Sequence, residues 1–227
     1  MKKQELQHSD YRIRKLIGIL GLLLPILLPL TGKELLSSIS HYYYKPLPSI
    51  VFIIILSCFA LFLISYKGYK IDKATEKLSD DLITNIGGLA ALLVVFIPTR
   101  CAGSESDFID SLCGIDNFPL LGHDDPTSNT IHLVSAGIFI VSMGWMSRYK
   151  FTRGSDTSYH KLYRTSGLIT FIAAGILLLF FSIEFIFNTT FSLTKYDVFI
   201  FETIAIIPFA VSWLVKGQTI SYLKKLF

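Results

Sequence analysis

Four side chains able to do acid–base or ligand chemistry stand out in an apolar chain: His41, His132, Glu184 and Glu202. His41 lies in the stretch SSISHYYYKPLPS (37–49), beside Tyr42, Tyr43 and Tyr44. His132 opens an apolar run, with Ser135 one turn deeper on the same helical face. Glu184 closes another run, Glu202 lies one turn inside the last, and Arg100 follows Pro98-Thr99. Imidazole and carboxyl groups suit zinc, and with an open position for water such a site hydrolyses amides or esters. His41, His132 and Glu202 would be the ligands, although the chain has no HExxH and no two histidines one turn apart. The same residues, balanced by Arg100, would also make a polar pocket that binds a lipid-like ligand without chemistry. A third reading is that they pair with one another and join helices.

The elements that must position these groups are apolar blocks. Leu16–Leu30, Ser49–Tyr66, Leu82–Ile97, Ile131–Met146, Ser166–Phe187 and Val198–Val215 carry most of the 52% apolar content. Only 17% of residues are charged, against about 25% in a soluble domain. A membrane span needs roughly 20 residues, and flanking Tyr, Thr and Lys side chains extend shorter blocks by snorkelling. The expectation is an all-α, polytopic membrane protein with six transmembrane helices. Barrel strands would alternate in polarity, which these blocks do not. A cleaved signal peptide is the rival for the first block, but no small-residue cleavage site follows Leu30.

Orientation follows from the basic residues, because cytoplasmic loops retain Lys and Arg. All but four of the 21 Lys and Arg lie in the N-terminal tail, the second and fourth connectors and the C-terminal tail. The exceptions are Lys33, Lys45, Arg100 and Lys195. This predicts both termini in the cytoplasm. It divides the chain into a basic tail (1–15), a six-helix domain (16–217) with an extracytoplasmic loop at 98–130, and a second tail (218–227). The tail YRIRK and the Lys224–Lys225 pair would touch anionic headgroups. Nucleic acid is a poor partner, since the basic residues are spread along one membrane face. Membrane lipids are the expected partners, and the sequence leaves the oligomeric state open.

The third connector, Pro98 to Thr130, is longer than a plain turn requires and bears Glu105, Asp107, Asp110, Asp116, Asp124 and Asp125. Cys101 and Cys113 within it are candidates for a disulfide in an oxidising compartment, with two free thiols as the alternative. The tyrosines of the first connector read as an interfacial belt or, with His41, as the wall of the pocket. Asn85 is expected to bond between helices, Trp145 and Trp213 to sit in the inner belt, and Pro25, Pro29 and Pro208 to kink their helices. Gly87-Gly88, Ala90-Ala91, Ala136-Gly137 and Ala173-Ala174-Gly175 would let helices approach closely. Asn188-Thr189-Thr190 matches a glycosylation sequon. No Walker loop, GxSxG, GxGxxG or CxxC is present.

Four stretches, SISHYYYKPL, NIGGLAALLVVFIPT, HLVSAGIFIVSMGW and FETIAIIPFAVSWLVKG, resemble an uncharacterised family of six-helix bacterial inner-membrane proteins. The resemblance runs from Arg14 to Gly217 and implies a multi-pass protein of a bacterial inner membrane, without implying an activity. The matched positions are His41, Tyr42, Asn85, Pro98, Thr99, His132, Glu202, Trp213 and Lys216. A more distant similarity runs to the membrane metallohydrolases that include alkaline ceramidases, with Ser37 and His41 fitting their Ser-x-x-x-His element. That similarity implies zinc-dependent hydrolysis of a lipid amide or ester. The family's final His-x-x-x-His has no counterpart, since the sixth span holds no histidine.

Overall fold

A computed structural model of the chain describes residues 8–71, 76–101, 120–153, 157–187 and 193–218. Six long helices account for most of it: α1 (His8–Gly32), α2 (Pro46–Ser65), α3 (Asp80–Phe96), α4 (Pro126–Trp145), α5 (His160–Phe187) and α6 (Asp197–Lys216). Among the described residues there is no strand. Five of the helices are long and apolar enough to cross a membrane. The sixth, α3, has 17 residues and rises roughly 25 Å.

The helices outrun the apolar blocks because polar residues continue them. Asp125 caps α4, its carboxyl accepting the Ser128 N–H at 2.7 Å, with Pro126 in the first turn. That starts α4 five residues before the apolar run at Ile131. Ser79 caps α3 in the same way, through the Leu82 N–H at 3.0 Å. At its other end α4 passes into a π-helical turn, Met146–Lys150. α1 and α6 continue through Pro25, Pro29 and Pro208 as single helices.

Each helix packs on the next in chain order and α6 returns to α1, so the six form a closed ring. Phe59, Phe139 and Phe209, from α2, α4 and α6, meet edge to face at its centre, with centroids 5.3, 5.9 and 6.1 Å apart. Small residues set the close contacts. A methyl added to Gly88 would come within 2.8 Å of the Ala60 carbonyl oxygen, and one on Gly167 within 2.6 Å of that of Gly144.

One end of the ring, where α1, α3 and α5 begin, is closed by a knot of charges. Arg14 is fully buried. Its guanidinium bonds the Tyr66 hydroxyl at 2.5 and 3.0 Å and stands over the rings of Tyr66, Tyr69 and Phe151. Arg14 is thus a core residue and not a headgroup contact, because aromatic faces and a hydroxyl solvate its charge. Asp80 is 1% exposed and pairs with Arg153. It also lies 3.9 Å from Lys150 and accepts the Tyr69 N–H at 3.1 Å. Glu76 bridges Arg153 at 2.7 Å and Lys150 at 3.3 Å. Lys216 donates to the carbonyls of Phe151 and Arg153 at 2.7 and 2.9 Å.

Two expectations for this end are corrected. Trp213 is buried against Tyr66 and Phe151, with centroids 5.2 and 4.9 Å away, and so is core, while Trp145 stays at the surface. Asn85 bonds within its own helix, donating to the Asp81 carboxyl at 3.1 Å. Asp81 lies one turn back on the same helix face.

Candidate ligand site at the open end of the ring

At the opposite end a cavity of about 410 Å³ lies among α4, α5, α6 and the connectors. Its mouth is built by the first connector. After α1 the chain forms a short 3₁₀ turn, Ser40–Tyr44, before Pro46 starts α2. The connector is fastened to α6 at three points. The Phe199 N–H donates to the Ser37 carbonyl at 2.8 Å. The Glu202 carboxyl accepts the Ile39 N–H at 2.7 Å and the Ser38 hydroxyl at 3.0 and 3.1 Å. Ser38 in turn accepts the Ser40 N–H at 3.1 Å.

His132, one residue into the apolar part of α4, is 1% exposed. Its Nδ1 lies 2.8 Å from the Ile97 carbonyl and its Nε2 2.9 Å from Ser40 Oγ. A carbonyl only accepts, so Nδ1 carries the proton, and in the neutral ring Nε2 accepts the Ser40 hydroxyl. His41 makes a parallel pair, its Nδ1 lying 2.9 Å from Ser37 Oγ. Burial, and then the facing His132, hold the His41 imidazole down at about 4.

His41, His132, Glu184, Glu202 and Arg100 all border the cavity. Tyr42, Tyr43 and Ser135 do not, and all three are buried elsewhere. Tyr42 donates to the Glu34 carbonyl at 2.7 Å and accepts the Leu36 N–H at 3.1 Å. Tyr43 packs edge-on against Phe52 at 6.1 Å, and Tyr44 donates to the Thr99 carbonyl at 2.5 Å. The three rings therefore form neither a belt nor a cavity wall. They are the internal packing of the connector: carbonyls of Glu34 and Thr99 take the Tyr42 and Tyr44 hydroxyls, and Tyr43 is held by its ring contacts with Tyr44 and Phe52.

Ser37 and Thr99, which the resemblances match, also line the cavity, as do Ser38, Ser40, Asn129, Lys195 and Asp197, which the sequence does not single out for the site. Asn129 Oδ1 accepts the Thr99 hydroxyl at 2.8 Å and the Arg100 N–H at 3.0 Å, fixing the third connector to α4. His123 holds the far side of that connector, with Nε2 2.8 Å from the Pro98 carbonyl. The Asp197 carboxyl caps its own turn through the N–H groups of Leu193 and Val198 at 2.7 and 2.8 Å. Cys101 is disulfide-bonded and Cys58 is a free thiol. Cys113, Glu105, Asp107, Asp110, Asp116 and the sequon at 188–190 lie outside the described residues.

Deeper in, the wall turns apolar. Leu133, Ala136, Gly137 and Ile140 of α4 face Ala174, Leu177, Leu178 and Phe181 of α5. A methyl built on Gly137 would meet no atom within 4 Å. The cavity thus has a polar rim above a cleft running roughly 12 Å down α4, from His132 to Ile140. Among the described residues no three His, Cys, Asp or Glu groups converge to hold a metal ion. Both ring nitrogens of His132 face Ile97 and Ser40. Neither a family model, nor a curated protein, nor a solved structure matches the chain.

Proposed function

We propose that this is a multi-pass protein of a bacterial inner membrane with both termini in the cytoplasm, and that its cavity faces outward and binds a lipid or similar amphiphile. The reading rests on how the cavity is divided. Hydroxyls, an amide, Arg100 and Lys195 surround its rim, and aliphatic side chains of α4 and α5 line its depth. Ligand sites are commonly concave, of about 300–1,000 Å³, and largely apolar with a few convergent polar groups. An acyl chain in the cleft would place its polar head among the rim groups. The bias of Lys and Arg toward the closed end supports that end as cytoplasmic. The cap of Tyr and Ser groups then lies at the outer headgroup level.

The binding test uses vesicles of phosphatidylglycerol and phosphatidylethanolamine containing a phospholipid with a diazirine in one acyl chain. Crosslinks are expected at Ala136 and Ile140 in the cleft, as well as at the outward-facing Ile138 and Val141 of the same helix. Gly137→Leu fits the open space beside α4 and should remove the cleft crosslinks at least tenfold while leaving the outward ones. Cleft positions that never crosslink in the wild type would end the binding reading. Sidedness is tested separately by labelling single cysteines in intact cells. Asp124→Cys should react from outside and Lys70→Cys should not, and the reverse pattern would invert the topology.

A further inference from the structure

We propose that Ser40 is a nucleophile and His132 its general base, and that the pair cleaves an acyl ester of the amphiphile that the cavity takes. The inference rests on the binding reading above for its substrate class and on geometry for its chemistry. Ser40 Oγ and His132 Nε2 are 2.9 Å apart, and His132 Nδ1 is fixed by the Ile97 carbonyl at 2.8 Å. That is a nucleophile, a base, and a group that sets the base's tautomer and ring angle, all within hydrogen-bond reach. The base therefore points its lone pair at the hydroxyl and nowhere else.

Position supports the same assignment. Ser40 and His132 lie at the level where the cavity changes from polar to apolar, between Asn129 on one side and Leu133 and Ala136 on the other. In an acyl ester the carbonyl occupies the junction between head and chain. A chain seated in the α4–α5 cleft would bring that carbonyl to the Ser40 hydroxyl. Serine is a weak nucleophile at its ordinary ionisation, so a hydroxyl already bonded to an oriented imidazole is the feature that matters. Structural serines on helices more often bond back to their own carbonyls, as Ser212 does to Pro208 at 3.1 Å.

The reaction proceeds in two balanced halves. Ser40 Oγ adds to the ester carbonyl carbon while its proton passes to His132 Nε2. The acyl C–O bond then breaks, and Nε2–H protonates the departing alkoxide. A water follows the same path: its proton goes to Nε2, its oxygen bonds the acyl carbon, and the serine ester breaks with the proton returning to Oγ. Ester and water become acid and alcohol. Arg100 and Asn129 border the same cavity and carry N–H donors suited to charge developing on the carbonyl oxygen.

The test treats purified full-length protein with a long-chain alkyl fluorophosphonate, which marks an activated serine by exchanging fluoride for Oγ. One adduct on Ser40 is expected by intact mass and peptide mapping of the wild type. Ser40→Ala should lose it, His132→Gln should slow it at least tenfold, and Ser212→Ala at the closed end should label like the wild type. An unmodified Ser40 in the wild type, an adduct only elsewhere, or an undiminished rate in His132→Gln would overturn the proposal. Mapping on the wild type decides the question even if a variant misfolds. Cleft crosslinks with an unreactive Ser40 would leave binding standing and remove the catalysis. A Ser40 adduct from a short-chain probe without cleft crosslinks would do the opposite.

Discussion

At the closed end of the ring, Arg14, Lys150, Arg153 and Lys216 are met by Glu76, Asp80, Tyr66 and backbone carbonyls. At the open end, His41, His132 and Glu202 are also met, but by serine hydroxyls and backbone groups that border an empty volume. The first arrangement meets each cation directly, Lys150 and Arg153 with carboxylates and Arg14 and Lys216 with a hydroxyl and backbone carbonyls, and so ties α1, α3, α6 and the turn after α4 together. The second holds polar side chains with dipoles and keeps one side of each facing the cavity. Polarity near an apolar slab therefore does not by itself mark a site. What marks the open end as a candidate site is the cavity that its polar groups border.

The comparison breaks most visibly at Asp80. Its carboxyl serves Arg153, Lys150 and the Tyr69 N–H together. Asp80→Ala leaves two buried or half-buried cations with one acid partner between them. Removing one member of such a buried pair costs about 3–5 kcal/mol. Equilibrium unfolding in mixed micelles should show a loss of that size, with crosslinking in the cleft retained wherever the protein stays folded. A loss below about 1 kcal/mol, the level of an exposed pair, would mean that the knot is decoration.

Much of this architecture was legible, and the reasons differ by region. The six apolar blocks follow from composition, since a chain with 17% charge cannot solvate six such runs. Their ends were read short at Pro126 and His160, because a cap such as Asp125 extends a helix through residues with no apolar signal. His132, Glu184, Glu202 and Arg100 could be grouped by depth alone, because ionisable residues at one level of a bundle are few. Ser40 could not be found that way. Serines abound in SSISHYYYKPLPS, and which of them meets His132 is set by the 3₁₀ turn, a tertiary fact. Arg14 and Trp213 were misread as interfacial for the same reason: their depth was legible, but not that aromatic partners from other helices enclose them.

A smaller effect is expected at the fastening of the first connector. Glu202→Gln keeps the shape but offers one acceptor oxygen where the carboxyl offers two to Ser38 and Ile39. One hydrogen bond is typically worth about 1 kcal/mol net. Global stability should fall by roughly that amount, and the Ile39 amide should exchange faster, while the Asp80 knot keeps its protection. Equal loosening at both ends would show that the two are one cooperative unit and that the contrast drawn between them is only spatial.

The finest test is a titration. His41 lies in the connector, where burial and then the facing His132 lower its imidazole to about 4, against about 6.5 for a free histidine. The folded protein therefore holds the ring neutral between those values, while an unfolded chain takes up a proton there. The unfolded state binds more protons across that window, so stability contributed at this residue falls as pH drops from about 6.5 toward 4 and is level above 6.5. Nitrogen-15 histidine spectra should show the His41 ring neutral at pH 5.5, with a midpoint near 4. If the midpoint stood at 6 or above, the ring would be fully hydrated. The connector would then not shield the cavity beneath it, and the open end would be a solvent-filled surface notch.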